Sequence, residues 1–333
     1  MNAQPLAFGA RAIGGVETEN PGGHLVKADP FPIVLNSHLA RRAGQVLRVE
    51  PLIDHRAVEQ GLKPFRDPRV HGVAGVLFGH NRDNGWLTRA VELEFTCGFL
   101  VNRAAMSRFG AVLVTCGSLA AYRGDVCRGH RRDLLNEYFL GSRVVNGDDR
   151  KLTQFALQRG RVVLAPGCTG RVALPQSASH LFRQRTRWST SFFRGTVYML
   201  RHMPPTHVAF WLTLMHAGIF GVETAALLAA LLLGPFVGWL NLAAIIAAAV
   251  TPGIVARHRT YWSSSGVDRD AAGAAEYVLL APLSLLVVVL VVVPARYYAL
   301  FHLKSSDWRT RKQVEAVSLQ RSGDGMRGNQ PPA

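Results

Sequence analysis

Gln184-Arg185-Thr186-Arg187-Trp188 stands where a mixed polar half of the chain ends and an apolar half begins. On a helix, Gln184, Arg187 and Trp188 fall at i, i+3 and i+4, so they share one face. From Ser177 to Met203, apolar Leu181, Trp188, Phe192, Phe193, Tyr198 and Leu200 interleave with Arg183, Arg185, Arg187, Arg194 and Arg201. That composition predicts an amphipathic helix at 177–203 lying on a membrane surface, its arginine stems running along apolar surface while their heads stay wet. An interfacial Trp with snorkelling arginines would give the same five letters.

Downstream, the region 204–303 carries most of the long apolar runs. Between Arg201 and Arg257 the only charged residue is Glu223, and Gly234-Pro235 interrupts the run. The pattern predicts spans at His207–Leu233, Phe236–Ala256 and Tyr277–Ala295, since a helix needs about 20 apolar residues to cross a bilayer. Arg257 and Arg259 follow the second run, and Arg296, Lys304, Arg309, Arg311 and Lys312 follow the last. Basic residues at span ends are what the positive-inside rule describes. Three crossings would put the tail 304–333 and the loop after Arg257 on opposite sides, although both are basic. One run therefore lies in the interface or re-enters, or there are four short spans.

Upstream, the first 30 residues are rich in Gly and Pro and read as a flexible leader; the end of the basic tail reads as disordered. Residues 31–176 alternate strand and helix signals: strands at Val70–Phe78, Ala111–Cys116 and Arg161–Ala165, helices at Gly85–Met106, Arg131–Leu140 and Asp149–Gln158. The alternation predicts a mixed α/β domain. The net charge is +16 over 333 residues. Its clustering around the apolar runs points to a lipid bilayer, and no nucleic-acid module is recognisable. Cys97, Cys116, Cys127 and Cys168 form no CxxC pair, which fits a reducing compartment.

Two further segments could carry chemistry. Gly147-Asp148-Asp149-Arg150-Lys151-Leu152-Thr153 places two carboxylates at a helix start, where the helix dipole favours negative charge. Transfer of a sugar to a hydroxyl needs a base, and a carboxylate serves; helix capping alone would also explain the pair. Cys116-Gly117-Ser118-Leu119 follows a strand, and Gly117 permits close backbone approach by a ligand.

Taken together and in this order, these segments resemble the membrane-bound, processive family 2 glycosyltransferases, the hyaluronan, chitin and cellulose synthase group, and most of all the hyaluronan synthases. The resemblance rests on Gly117-Ser118-Leu119 to Tyr122-Arg123, Phe139-Leu140-Gly141, Gly147 to Thr153, Gln184-Arg187-Trp188 and Ser191-Phe192-Phe193-Arg194. It covers residues 67 to 201, beginning at Asp67-Pro68-Arg69-Val70, and more weakly extends to Ser306-Asp307-Trp308-Arg309-Thr310-Arg311. It implies a GT-A-like catalytic domain on the cytosolic face of the cell membrane, acting on a UDP-sugar donor and a growing polysaccharide. Asp149 would be the general base, supported by Asp148. Trp188 would stack the acceptor sugar at the mouth of a channel, and Gln184 and Arg187 would hold the acceptor end and the diphosphate. Gly117, Ser118 and Leu119 would line the acceptor pocket. Mg2+ or Mn2+ would bridge the donor diphosphate.

The chain departs from the family at its metal segment. The positions matching the Asp-x-Asp are Arg48-Val49-Glu50, where Glu50 is the one carboxylate and Arg48 would repel a cation. Fewer than fifty residues stand where the family's first βαβ unit belongs. The expectation is thus an incomplete, N-terminally truncated GT-A-like domain, either an active synthase or a non-catalytic relative that keeps the acceptor and channel half. A transporter without glycosyl transfer would rest on Glu223 alone.

Overall fold

The computed structural model describes residues 12–13, 33–36, 52–53, 55–144, 146–262 and 271–304. Strands β1 (Ala12–Ile13), β2 (Ile33–Asn36) and β3 (Leu52–Ile53) precede helix α1 (His55–Leu62) and a 3-10 turn at Lys63–Arg66. β4 (Val70–Gly79) leads to α2 (Trp86–Cys97), which continues through a π-helical turn, Gly98–Arg103, into α3 (Ala104–Arg108). Then come β5 (Ala120–Arg123), α4 (Gly124–Gly129), α5 (Arg131–Leu135), and the hairpin β6 (Tyr138–Phe139) and β7 (Ser142–Arg143). α6 (Asp148–Arg159) and β8 (Arg161–Val172) complete the α/β part. α7 (Ala178–His202), α8 (Val208–Val237), α9 (Trp239–Trp262), α10 (Ala271–Val287), a π turn at Val288–Val292 and α11 (Val293–Phe301) follow.

The main sheet runs β1-β2-β5-β4-β8-β3 among the described residues. β4 and β8 are parallel; the remaining pairs are antiparallel. β4 reads Val-His-Gly-Val-Ala-Gly-Val-Leu-Phe-Gly and is buried over nearly its whole length. A strand covered on both faces favours such a continuous apolar run over strict alternation. Its glycines allow close approach: a Cβ on Gly75 would stand 2.5 Å from Leu119 Cγ, and one on Gly72 3.3 Å from the Tyr122 ring. The core gathers Val73, Ala74, Leu77, Phe99, Tyr122, Phe155 and Val162. Ala12–Ile13 pairs with β2 inside the stretch expected to be a leader. Glu50 and the Ser306–Arg311 motif lie outside the described residues.

Several expected elements change. Ala111–Cys116 is not a strand; it touches the sheet through one bridge, Ala111 to Val162. Side chains take its backbone groups instead: Arg103 Nε donates to the Val114 carbonyl at 2.8 Å, and the Thr115 amide donates to Thr153 Oγ1 at 3.1 Å. The helix expected at Arg131–Leu140 ends at Leu135, and Phe139-Leu140-Gly141 becomes a hairpin turn with positive φ at Leu140 (49°) and Gly141 (79°). Gly234-Pro235 does not break its helix. α8 runs through Pro235 and stops at Gly238, whose φ of 86° ends it.

Among the described residues, three helices are long and apolar enough to cross a membrane: Val208–Val237, Trp239–Tyr261 and Leu279–Phe301. Arg296, expected beyond the last run, lies within it, where its ion pair with Glu223 of α8 offsets the cost of the charge. Beside that pair, Tyr297 donates to Thr224 at 2.8 Å.

α6 and α7 meet at small residues. A Cβ on Gly195 would fall 2.4 Å from Arg150 Cδ and 2.8 Å from Gln154 Nε2, and Gln154 donates to the Gly195 carbonyl at 2.9 Å. Gly195→Val should therefore part the two helices and cost about 1–3 kcal/mol, an ordinary overpacking effect. A lowered thermal midpoint of the full chain in detergent checks this. Gly218→Ala, where nothing lies within 4 Å of the added Cβ, should leave the midpoint unchanged.

Candidate active site

Gly147 adopts a left-handed φ of 92°, and a Cβ there would lie 2.5 Å from Ser191 Oγ of α7. Both facts favour glycine immediately before α6. Asp148 and Asp149 then fill the first turn of α6, at the positive end of its dipole. Asp149 Oδ1 accepts from the Arg150 amide at 2.8 Å, and its Oδ2 accepts from the Gly117 amide at 3.3 Å. The carboxylate expected as base thus meets the loop expected to line the acceptor pocket.

A knot of hydroxyls fixes this meeting point. Tyr122 is fully buried. Its hydroxyl lies 2.5 Å from Thr115 Oγ1 and 3.2 Å from Thr153 Oγ1, and it donates to the Asp149 carbonyl at 3.1 Å. Thr153 also donates to that carbonyl, at 2.7 Å. Burial pushes the Tyr122 phenol well above its usual range, so it stays a donor. The neighbouring Arg123, also buried, donates to the carbonyls of Val70, Phe65 and Asp67 at 2.7, 2.9 and 3.1 Å. Tyr122, Arg123 and Thr153 belong to the quoted motifs, and in this fold they fasten one motif to the next.

Leu119 differs from the rest of its segment. It is 2% exposed and packs in the core beside Gly75, so it supports the loop from behind. Gly117 reaches Asp149 directly.

Two arginines that sequence reading gave no role feel the charge of Asp149. Burial lowers Arg103 below its ordinary value, with Cys116 and Asp149 acting the other way. Burial brings Arg150 down to about 10, against an opposing pull from Asp149. Arg150 was visible only as the last letter of Gly-Asp-Asp-Arg. Arg103 had one signal, a lone cation after the apolar run Gly98 to Val101. Arg194 was likewise quoted without a role. It donates to Asn146 Oδ1 at 3.0 Å and, through Nε and Nη2, to the Leu303 carbonyl at 3.0 and 2.6 Å. It thus joins the loop before α6 to the end of α11.

Gln184, Arg187 and Trp188 lie on α7, all half-buried. The helix starts at Ser177, whose side chain accepts from the His180 amide at 3.2 Å. Trp188 stacks on Phe95 of α2 with centroids 5.7 Å apart and planes 26° apart. Arg185 Cζ sits 4.9 Å from the indole centre. Phe95 meets Phe99 edge-on at 5.1 Å, and the Arg103 guanidinium lies 4.0 Å from the Phe99 ring centre. Contacts therefore run without a gap from Trp188 through Phe95 and Phe99 to Arg103, whose Nε holds the segment leading to Gly117.

Among the described residues no three His, Cys, Asp or Glu side chains converge on a point that would hold a metal ion. The Asp149 oxygens accept from the Gly117 and Arg150 amides, so the described residues do not by themselves fit a divalent ion.

Residues 50–257 match the profile described as Glycosyl transferase family group 2, and the chain belongs to that family. A hyaluronan synthase of Streptococcus pyogenes is 31% identical over 258 residues, which cover 78% of this chain and 59% of the relative. An N-acetylglucosaminyltransferase of Azorhizobium caulinodans is 35% identical over 153 residues, 46% of this chain and 38% of its own. A solved mannosyltransferase of Pyrobaculum calidifontis, in complex with GDP-Man and Mn2+, overlaps at TM-score 0.40 and 21% identity, over 71% of this chain and 59% of its own. The chain thus spans about three fifths of the hyaluronan synthase it matches. It is a family 2 glycosyltransferase-type α/β domain followed by an amphipathic helix and three helices suited to a membrane.

Tyr122→Phe removes one hydroxyl from the knot and leaves buried oxygens short of a partner. The expected cost is about 1–3 kcal/mol, read as a lower thermal midpoint. Tyr138→Phe, on a ring 63% exposed, should cost nothing measurable.

Proposed function

We propose that this chain is a membrane-bound glycosyltransferase that adds sugars from UDP-sugar donors to a growing polysaccharide with inversion. The observation that supports it best is the Asp149 carboxylate at the start of α6, held against the Gly117 amide and linked by contacts to the Trp188 platform. In this reading the terminal acceptor sugar stacks on Trp188, and its reactive hydroxyl meets Asp149. The carboxylate takes the hydroxyl proton as the oxygen attacks the donor's C1 from the face opposite the nucleotide. The bond from C1 to the diphosphate oxygen breaks, UDP departs with the electron pair, and the configuration at C1 inverts. Asp148 supports the base. Gln184 and Arg187 hold the acceptor end and the diphosphate, a task suited to a planar guanidinium. Gly117 and Ser118 line the acceptor pocket, with Leu119 as their backing.

In such an enzyme Mg2+ or Mn2+ supplies charge neutralisation at the departing diphosphate. Glu50 is the one carboxylate of the matching segment, and Arg48 stands where a second ligand belongs. That substitution favours a second reading: a relative that keeps the acceptor half without a working donor site. Asp149→Asn should reduce UDP release in membranes by about 10²–10⁴-fold, the usual range for losing a general base; equal turnover by the variant rejects the base. Calorimetry of the native chain with UDP and Mn2+ separates the two readings, since only the synthase gives a binding isotherm.

We also infer the membrane topology. α8 leaves the domain from a buried start at Ala209, and α9 returns to it: Arg257 pairs with Glu94 of α2 at 3.3 Å, and Tyr261 packs with Leu93 and Cys97. The α10–α11 run behaves otherwise. Leu280 packs with that same cluster, Val287 packs with Val91, Leu174 and Leu181, and the end of α11 is held by Arg194. A third of its apolar window is buried, against 6% for α8. The domain is cytosolic, α8 and α9 cross as a hairpin, and the third apolar run re-enters: both of its ends, Leu280 and Leu303, are held by the domain, while Arg296 and Tyr297 reach the middle of α8. The basic loop and the basic tail then share the cytosolic side, as the positive-inside rule asks. A C-terminal alkaline phosphatase fusion should be inactive in intact cells; an active fusion rules this arrangement out.

A further inference from the structure

Helix 86–108 contains an i→i+5 turn at Gly98–Arg103 and carries no recognised motif. Such turns shift a helix face by one residue and recur at functional sites. Here the turn brings Phe99 and Arg103 into one stack, with the guanidinium 4.0 Å from the ring centre. Arg103 Nε also donates to the Val114 carbonyl at 2.8 Å, and Val114 opens the segment leading to Gly117. Phe99 leans on Phe95, and Phe95 on Trp188.

We propose that Arg103 is a positioning residue that sets the distance between the Trp188 acceptor platform and the Asp149 carboxylate. It rests on the acceptor-site reading above. Arg103 touches the segments at both ends of the gap: Val114, three residues before the Gly117 amide that meets Asp149, on one side, and Phe99 of the aromatic stack that reaches Trp188 on the other. Arginine suits this because its plane can lie on a ring while Nε reaches sideways to a carbonyl; a lysine can do one or the other. Both amino groups of Arg103 are without a hydrogen bond among the described residues, so the head is anchored only by Nε and the ring. Misplacing reacting atoms by about 1 Å can cost about 10²-fold in rate, so a spacer at this point has catalytic weight.

A purely structural cation–ring contact would also stabilise the domain, and the test must separate the two. The full chain in lipid nanodiscs is titrated with chitotetraose, read by quenching of tryptophan fluorescence against a Trp188→Phe baseline. In parallel, UDP release and sugar incorporated into polymer are measured together. Arg103→Lys should weaken chitotetraose binding by about 2–10-fold, the range of one disturbed aromatic stack. It should also lower the ratio of sugar incorporated to UDP released, because a misplaced acceptor yields to water. Phe99→Leu should do the same, and the double variant should add little. Unchanged binding and an unchanged ratio in Arg103→Lys overturn the proposal, even if the variant is less stable. A native chain that releases no UDP refutes the catalytic reading alone, and the binding arm still decides the role of Arg103. A native chain that binds no chitotetraose overturns the proposal together with the platform.

Discussion

The first turn of α6 is the constraint on which the rest depends. Its position is set by a buried hydroxyl knot and by a glycine that cannot carry a side chain. Tyr122 and Thr153 both donate to the Asp149 carbonyl, Thr153 accepts from the Thr115 amide, and Gly147 leaves room for Ser191. Unmade hydrogen bonds in such a place are expensive, so the alternatives to this arrangement are few. The knot uses one residue from each of three separate segments, and α6 is where sheet, loop and α7 come together.

This explains which parts of the chain were legible in its sequence. β4, α6 and α7 were visible because their patterns are local: a continuous apolar run, two acids after glycine, and apolar residues interleaved with arginines. The three apolar helices were visible by length and composition. Ala111–Cys116 was misread because its apolar letters match a buried strand, while its hydrogen-bond partners, Arg103 and Thr153, are distant in sequence. Arg131–Leu140 was misread because the left-handed turn falls on Leu140, a residue that rarely adopts it.

The candidate site divides in the same way. Asp149 and Gly117 stood out by motif, and the fold brings them into contact. Leu119, from the same motif, turns into the core, because a β4 glycine makes space for it. Arg103, Arg150 and Arg194 carried no role in the sequence, since their roles arise from packing between segments far apart in the chain. Arg185 is a reminder that motif spacers matter: as an unspecified letter of the Gln184–Trp188 motif, it lies over the indole. The metal segment at Arg48 to Glu50 falls outside the described residues.

α2 touches α9 and Trp188 at once. One flank holds Arg257 through Glu94 and receives Tyr261; the other presents Phe95 to Trp188. α8 also meets α7 directly, through Phe220 on Phe193, so the helix that carries the indole is joined to the apolar helices from two sides.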